Sequence, residues 1–355
     1  MKYPITLTFF FCFIFGTKSI YAQTYQWGGK QITKQEWNNR LNEYTNLFVK
    51  YYNSDNTLQT QSDIALVEKL IAENAEGGLA VLVDLKTNKI VSKSGFTKKG
   101  KEYVMDTTLF NKSIEQGSLM VPMSAAMIMD NYGVTLNDTT NLEGGKTILN
   151  GMVILDAEHH DVHTANLKQI IAESSNVGIA KMVDKTFKAH NYELNFKDVM
   201  NDYVGTAKII PNEDILTTQI PYQSFGYGVL LTPNEIFNFY KRVAQSDPTL
   251  FKHPETLTQV QAALAEVAIN GTAKSLFRDA KYNYAAKTGT VLVADPKKGY
   301  ANNQFQSEFI GYDNNVNPRY ACMVIIKCKP QALNHFGATV AGPVFKSIME
   351  NALQH

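Results

Sequence analysis

Residues 117–122 read Gly-Ser-Leu-Met-Val-Pro, and the rest of the chain can be interpreted outward from this stretch. Ser118 opens a segment, residues 118–131, that is rich in Met and Ala and almost free of charge. This composition is typical of a helix surrounded by protein, and a serine in its first turn lies at the positive end of the helix dipole. Position 121, one turn further on the same face, holds valine, which cannot act as a base for the serine.

Two more short motifs follow in the sequence. Residues 174–176 read Ser-Ser-Asn within a region of helical character, 165–185, and residues 287–290 read Lys-Thr-Gly-Thr within an expected strand, 284–294. One class of serine enzymes that form acyl intermediates carries Ser-x-x-Lys, Ser-x-Asn and Lys-Thr-Gly in this order. The second and third motifs are intact here, and only the lysine of the first is replaced, by Val121.

The first 22 residues predict a secretory signal peptide. Lys2 precedes an apolar run from Ile5 to Phe15, and Ala22 offers a small residue for cleavage. The run is too short for an ordinary spanning helix, which needs roughly 20 apolar residues, although an uncleaved signal is an alternative. We therefore expect the chain to be exported to the periplasm or another extracytoplasmic space.

Composition excludes several classes of protein. The net charge is +1 and there is no basic run, so nucleic acid is not an expected partner. Cys322 and Cys328 fall in one predicted strand, about 20 Å apart, which is too far for a disulfide between them. With 44% apolar residues the chain can bury a large core without such bonds.

Hydrophobic periodicity predicts one α+β domain over residues 62–355, preceded by a short helical segment over 23–61 with apolar positions between Trp37 and Tyr51. A helix beginning at Ser62 leads to a strand, turn and strand over 79–95. Three further strands are expected at 284–294, 307–312 and 320–327, and a last helix at 341–353. Strands at both ends with helices between them suggest a single sheet that joins the first hairpin to the last three strands.

From about Ser62 onward the chain resembles the transpeptidase domain of penicillin-binding proteins. The likeness includes the three motifs and further segments in family order: residues 78–84, 86–89, 115–122, 224–229, 232–233, 309–312 and 341–345. The resemblance implies a five-stranded antiparallel sheet between helices, with the active site between the sheet edge and a helical subdomain. The part before Ser62 is too short for a glycosyltransferase domain or an N-terminal pedestal, so we expect a transpeptidase domain nearly alone.

The resemblance also implies a role for seven residues, which are catalytic Ser118, Ser174 and Lys287 and substrate-binding Asn176, Thr288, Gly289 and Thr290. Ser118 would be the nucleophile, Ser174 would relay a proton to the leaving D-alanine amine, and Lys287 would supply positive charge. Asn176 would hold the substrate amide, and a threonine of the third motif would bind the substrate carboxylate. The backbone N–H groups of Ser118 and Thr290 would form the oxyanion hole. Without the resemblance, Ser118 is more simply interpreted as a helix N-cap or first-turn serine that does no chemistry.

Val121 leaves three functions open. Loss of a general base costs about 10²–10⁴ in rate, so we expect an impaired D,D-transpeptidase or carboxypeptidase acting on D-Ala-D-Ala stem peptides, with Lys287 as a possible substitute base. The first alternative is an inactive module that binds peptidoglycan or a cell-wall synthesis protein. The second is a β-lactamase or β-lactam sensor. The expected partners are a peptidoglycan stem peptide or a β-lactam and, for the binding module, a cell-wall synthesis protein.

One segment invites a metal interpretation. Residues 158–163 read Glu-His-His-Asp-Val-His, but neighbours this close in sequence converge on one ion only in a special loop. We therefore predict a solvated polar loop, and neither a metal nor a cofactor.

Overall fold

The computed structural model describes residues 25–27, 30–32, 57–157, 163–204, 219–293 and 303–354. The expected signal peptide, most of the 23–61 segment and residues 158–162 lie outside the described residues, so those predictions are not tested. In the described part of the chain no helix combines the length and apolar character needed to cross a membrane.

The elements follow one another as strands, then helices, then strands. The helices are α1 (Thr57–Glu73), α2 (Val121–Tyr132), α3 (Leu167–Ala172), α4 (Asn176–Ala189), α5 (Phe196–Val204), α6 (Ile220–Gln223), α7 (Pro233–Ala244), α8 (Pro254–Ile269), α9 (Lys274–Phe277) and α10 (Ala341–Leu353). The strands are β1 (Tyr25–Trp27), β2 (Lys30–Ile32), β3 (Gly77–Asp84), β4 (Lys89–Lys99), β5 (Glu102–Met105), β6 (Ile114–Glu115), β7 (Thr139–Asn141), β8 (Lys146–Leu149), β9 (Met152–Leu155), β10 (Thr164–Asn166), β11 (Leu230–Leu231), β12 (Tyr284–Leu292), β13 (Phe305–Asp313) and β14 (Tyr320–Lys327).

A six-stranded antiparallel sheet in the order β12-β13-β14-β3-β4-β5 forms the centre of the molecule. The prediction that the first hairpin joins the last three strands is confirmed. The sheet has one strand more than the five expected, because the chain turns at Gly100, with φ +64°, and adds the short edge strand β5. Helix α1 also begins five residues earlier than expected, at Thr57 rather than Ser62.

Helices cover both faces of the sheet. Helices α1 and α10 pack together on one face, where the ring of Phe309 in β13 lies 4.7 Å from that of Phe345 in α10. Helices α2, α7 and α8 belong to the helical layer on the other face. Cys322 and Cys328 are buried free thiols, as their spacing predicted. This arrangement leaves β12 at the sheet edge, facing the helical layer.

Candidate active site

A cavity of about 350 Å³ lies between β12 and the helical layer. Five of the seven predicted site residues line it: Ser118, Ser174, Asn176, Thr288 and Thr290. The other two, Lys287 and Gly289, are buried in β12 beside it. The three motifs, up to 170 residues apart in sequence, therefore meet at one edge of the sheet.

The turn that carries Ser118 is a short 3₁₀ helix, Gly117–Met120, which runs directly into α2. Gly117 has φ +45°, and a Cβ there would lie 2.4 Å from the Val291 side chain, so the position favours glycine on two grounds. Gln116 caps this turn and Met120 caps α2, neither through its side chain. Ser118 is therefore not an N-cap but lies in the first turn, one of the two positions that its sequence context predicts.

Val121 is fully buried in the apolar core and does not line the cavity. Its backbone N–H donates to the Ser118 carbonyl, which continues the helix from the turn Gly117–Met120. The side chain supplies neither a proton acceptor nor a charge. The first motif thus keeps the shape of a nucleophile turn but lacks the base on its own helix.

Ser174 lies at a break between two helices. The sequence predicted one helical region over 165–185, whereas α3 ends at Ala172 and α4 begins at Asn176. Ser174 has φ +58°, in the left-handed region that few non-glycine residues adopt. Ser175 caps α4 by accepting the Gly178 N–H at 2.9 Å. The break leaves Ser174 on the cavity wall.

The Lys287 amine joins two polar groups of the site. Its Nζ donates to Ser174 Oγ at 2.7 Å and to the Thr288 carbonyl at 2.8 Å, and the side chain is fully buried. Burial lowers the pKa of Lys287 to about 7, against an opposing effect of the Glu308 charge, which raises it. The unprotonated amine, which can accept a proton, is therefore accessible near neutral pH.

The polar groups around the cavity differ in how far they are already paired. Asn176 Nδ2 donates to the Leu155 carbonyl at 2.9 Å, while its buried Oδ1 has no partner among the described residues. Thr288 Oγ1 pairs with Thr272 Oγ1 at 2.7 Å. Thr290 Oγ1 accepts the N–H of Gly337 at 3.3 Å, which leaves its own hydroxyl proton to donate.

Three acidic residues at the site were not predicted from the sequence: Asp156 and Glu173 line the cavity, and Glu308 is buried in β13. Asp156 follows β9 and accepts the Ser175 hydroxyl and the Val177 N–H, each at 2.9 Å, and so fixes the start of α4. Glu308 lies opposite Gly289 in β13 and is fully buried. No sequence signal marked Glu308, which follows the polar residues Gln306 and Ser307 in β13, and none marked Asp156.

The predicted polar loop at 158–163 is described only at His163, so neither interpretation of it is tested. Within the part of the chain that the structure describes, no three His, Cys, Asp or Glu side chains are grouped so as to hold a metal ion.

Comparison with known sequences gives a family match over most of the chain. Residues 78–350 match the family described as the penicillin binding protein transpeptidase domain. Peptidoglycan D,D-transpeptidase FtsI of Buchnera aphidicola subsp. Baizongia pistaciae is 24% identical over 370 residues, covering 92% of this chain and 63% of the relative. FtsI of Escherichia coli strain K12 is 24% identical over 313 residues, covering 79% and 52%. The chain therefore spans between about half and two thirds of these relatives' length.

Solved structures share the fold. The TP domain of Burkholderia pseudomallei penicillin-binding protein 3 superposes with a TM-score of 0.68 at 22% identity, covering 86% of this chain and 96% of that one. A peptidoglycan glycosyltransferase from Burkholderia ambifaria gives 0.67 at 21% identity, with 84% and 96% covered. The sheet, the meeting of the three motifs at its edge and the family match over residues 78–350 lead to one conclusion. This chain belongs to the penicillin-binding protein transpeptidase domain family.

Proposed function

We propose that this chain is an exported acyl-transfer domain that acts on D-Ala-D-Ala stem peptides of peptidoglycan through an acyl ester on Ser118. Its relatives named FtsI are peptidoglycan D,D-transpeptidases. The observation that carries the proposal is the buried amine of Lys287, 2.7 Å from Ser174 Oγ at the cavity that Ser118 lines. This amine replaces the base that Val121 cannot provide.

The proposed acylation conserves every proton. Ser118 Oγ attacks the carbonyl carbon of the penultimate D-alanine, and the new O–C bond forms as the C–N bond to the terminal D-alanine breaks. The hydroxyl proton passes to the unprotonated amine of Lys287 and, through Ser174, to the leaving nitrogen. The terminal D-alanine departs with a neutral amino group. The acyl ester is then transferred to the amine of a second stem peptide or to water.

Other polar groups of the cavity would bind the amide, the terminal carboxylate and the oxyanion of the substrate. The free acceptor Oδ1 of Asn176 would take the N–H of a substrate amide. The hydroxyl proton of Thr290 would be donated to the terminal carboxylate, with Thr288 and Gly289 forming the adjoining strand surface. Backbone N–H groups of Ser118 and Thr290 would stabilise the oxyanion.

The Lys287 route is expected to be slower than a base on the Ser118 helix. Lys287 makes its contact with Ser174, so the proton of Ser118 reaches it through a less direct path. We expect acylation about 10²–10⁴-fold slower than in a relative with lysine at position 121.

The second candidate function is a module that binds peptidoglycan or a cell-wall synthesis protein without acylation. The full burial of Val121 in the apolar core favours it, because no base then lies one turn from Ser118. A third outcome, rapid hydrolysis of a β-lactam ester, would mark a β-lactamase.

A soluble pentapeptide ending in D-Ala-D-Ala distinguishes these functions. We expect mass spectrometry to detect slow release of D-alanine, with tetrapeptide or cross-linked dimer as the second product, and no release by Ser118→Ala. Saturable peptide binding that Ser118→Ala retains, with no product from either chain, would instead establish the binding module.

A further inference from the structure

Glu308 is a buried carboxyl that none of the proposed steps uses. In the antiparallel pairing of β12 with β13, Gly289 lies opposite Glu308 and Lys287 lies opposite Ile310. Lys287 and Glu308 are therefore diagonal neighbours on the same face of the sheet, the face covered by the helical layer. Both side chains are fully buried.

Gly289 keeps the space next to this carboxyl free of a side chain. A Cβ at position 289 would lie 2.4 Å from Glu308 Oε2. Glu308 Oε1 accepts the Gln306 amide at 2.6 Å, whereas Oε2 is buried and has no hydrogen-bond partner among the described residues. A buried carboxyl with one unpaired oxygen is costly, so its retention calls for an explanation.

Tyr240 links the charge of this carboxyl to the turn that carries Ser118. Tyr240 of α7 donates its hydroxyl to the Leu119 carbonyl at 2.8 Å, and Leu119 directly follows Ser118. Burial, together with the nearby charge of Glu308, raises the pKa of Tyr240 well above its ordinary value. Glu308 is thus within electrostatic reach of both Lys287 and the residue that supports the Ser118 turn.

Burial acts on the two groups in opposite directions. It raises the pKa of Glu308 well above its ordinary value and lowers that of Lys287 to about 7. The other titratable groups facing the pair, Tyr240 and Tyr312, have pKa values raised by burial and stay neutral at pH 7. Amine and carboxyl can therefore hold one proton between them near neutral pH, as an ion pair or as two neutral groups.

We propose that Glu308 is a positioning residue that acts through Lys287, and that the two side chains form one buried proton-sharing pair in a site whose motif lysine is absent. No hydrogen bond or ion pair joins them directly in the described structure, so the coupling acts across the gap at Gly289. Its effect on catalysis rests on the function proposed above: Glu308 would adjust the fraction of Lys287 that is free amine.

The test follows the ionisation of Lys287 without requiring acylation. The ¹³Cε chemical shift of Lys287, assigned with Lys287→Met, is titrated in the natural chain and in Glu308→Gln. We expect the midpoint of the Lys287 titration to fall by about one pH unit or more in Glu308→Gln. The titration curve should have two steps in the natural chain and one step in Glu308→Gln. The matched control is Glu68→Gln, which removes another carboxyl with a burial-raised pKa, in α1, a helix packed on strands β3 and β4. It should leave the Lys287 curve unchanged.

An unchanged Lys287 curve in Glu308→Gln would overturn the pair, whatever the chain does with a penicillin. A shifted curve supports the pair. In that case intact mass is used in parallel to follow the rate of penicillin adduct formation as a function of pH. If this pH profile shifts together with the Lys287 titration, the pair also acts in the reaction. A shifted curve with no adduct on the natural chain would leave the pair in place and refute the acyl-transfer function instead. Should Glu308→Gln fail to fold, Glu308→Leu gives the same reading, because it also removes the charge.

Discussion

Among single residues, Lys287 matters most, because the proposed acylation of Ser118 requires it to act as a base near neutral pH. Its pKa of about 7 lies below the ordinary value because of burial, so the protonated form that dominates below pH 7 cannot accept the Ser118 proton. The rate of penicillin acylation should therefore rise as the pH increases from 6 to 8 and then level off. Stopped-flow or quenched mass measurements across this range check the profile.

Lys287→Arg supplies the matched control for that profile, because a guanidinium keeps its charge throughout. We expect this variant to lose about 10²-fold or more in rate and to lack the rise near pH 7. An identical rise in Lys287→Arg would show that another group is the base.

Val121→Lys should change activity and stability in opposite directions. An amine one turn from Ser118 supplies a direct base, and we expect acylation to accelerate by about 10–10³-fold. A lysine in place of a fully buried valine also carries a desolvation cost, so the midpoint of thermal unfolding should fall.

Val121→Met isolates the contribution of the amine, because it adds length without a proton acceptor. It should leave the acylation rate unchanged and lower stability by about 1–3 kcal/mol, because the longer side chain overpacks a fully buried position. Equal acceleration by both variants would mean that packing at position 121, and not the missing base, limits the reaction.

The order of the motifs predicted seven residues that lie in or beside one cavity. It did not predict the acidic residues near them, such as Glu308. Glu308 follows Gln306 and Ser307 in a strand, a pattern that does not distinguish a buried carboxyl from an exposed one. Burial there is decided by the helical layer over the sheet, which is a tertiary property. The effect of Val121 likewise depends on the proximity of Lys287 to Ser174, and sequence spacing gives no such distance.

At the scale of elements, the 3₁₀ turn Gly117–Met120 is held against β12 by the absence of a side chain at Gly117. Gly117→Ala places a Cβ 2.4 Å from Val291 and requires φ +45° from an L-residue. We expect the turn to shift, with penicillin acylation falling at least about tenfold and stability by about 1–3 kcal/mol. Acylation kinetics and thermal unfolding measure the two effects.

Adding Val291→Ala to Gly117→Ala removes the close contact but not the backbone strain. The double variant should therefore recover part of the lost stability and remain below the natural chain. Full recovery would show that φ at position 117 costs nothing, and no recovery would show that the contact with Val291 is not the cause.

The helix break at Ser174 was not predicted because the helical pattern continues through it and no glycine or proline marks it. Ser174→Gly separates its two roles: glycine adopts φ +58° without strain but removes the acceptor of the Lys287 hydrogen bond. Stability should stay within about 1 kcal/mol of the natural chain while the acylation rate falls about 10²-fold. A rate equal to that of the natural chain would exclude Ser174 from the proton path.

At the scale of the whole molecule, alternation of buried residues and the order of segments were enough to predict the sheet. The hairpin β3–β4, the strands β12 to β14 and the last helix all lie where the sequence places them. Strand β5 was not predicted, because it has only four residues and two of its side chains are exposed. Its pairing is secured by the turn at Gly100 and the β4 register, neither of which is a hydrophobic pattern.

Stability of the domain should depend on pH through Glu68 in α1. Burial raises the pKa of Glu68 from its ordinary 4.5 to about 8. The folded state then binds more protons than the unfolded state between these values, so the free energy of unfolding decreases as the pH rises from about 4.5 to 8. Glu68→Gln should remove part of this decrease, by about 1–3 kcal/mol at pH 8, in urea unfolding at pH 5 and pH 8. If the free energy of unfolding falls equally between pH 5 and pH 8 in both chains, Glu68 is not the cause of the pH dependence.

The intact mass of the protein after incubation with benzylpenicillin shows whether Ser118 is acylated in the absence of a lysine at position 121. We expect a slowly formed, stable mass increase of one penicillin per chain, absent from Ser118→Ala and strongly slowed in Lys287→Met. No mass increase on the natural chain, together with a clear adduct on Val121→Lys, would contradict this expectation and show a site preserved in shape but inactive without that lysine.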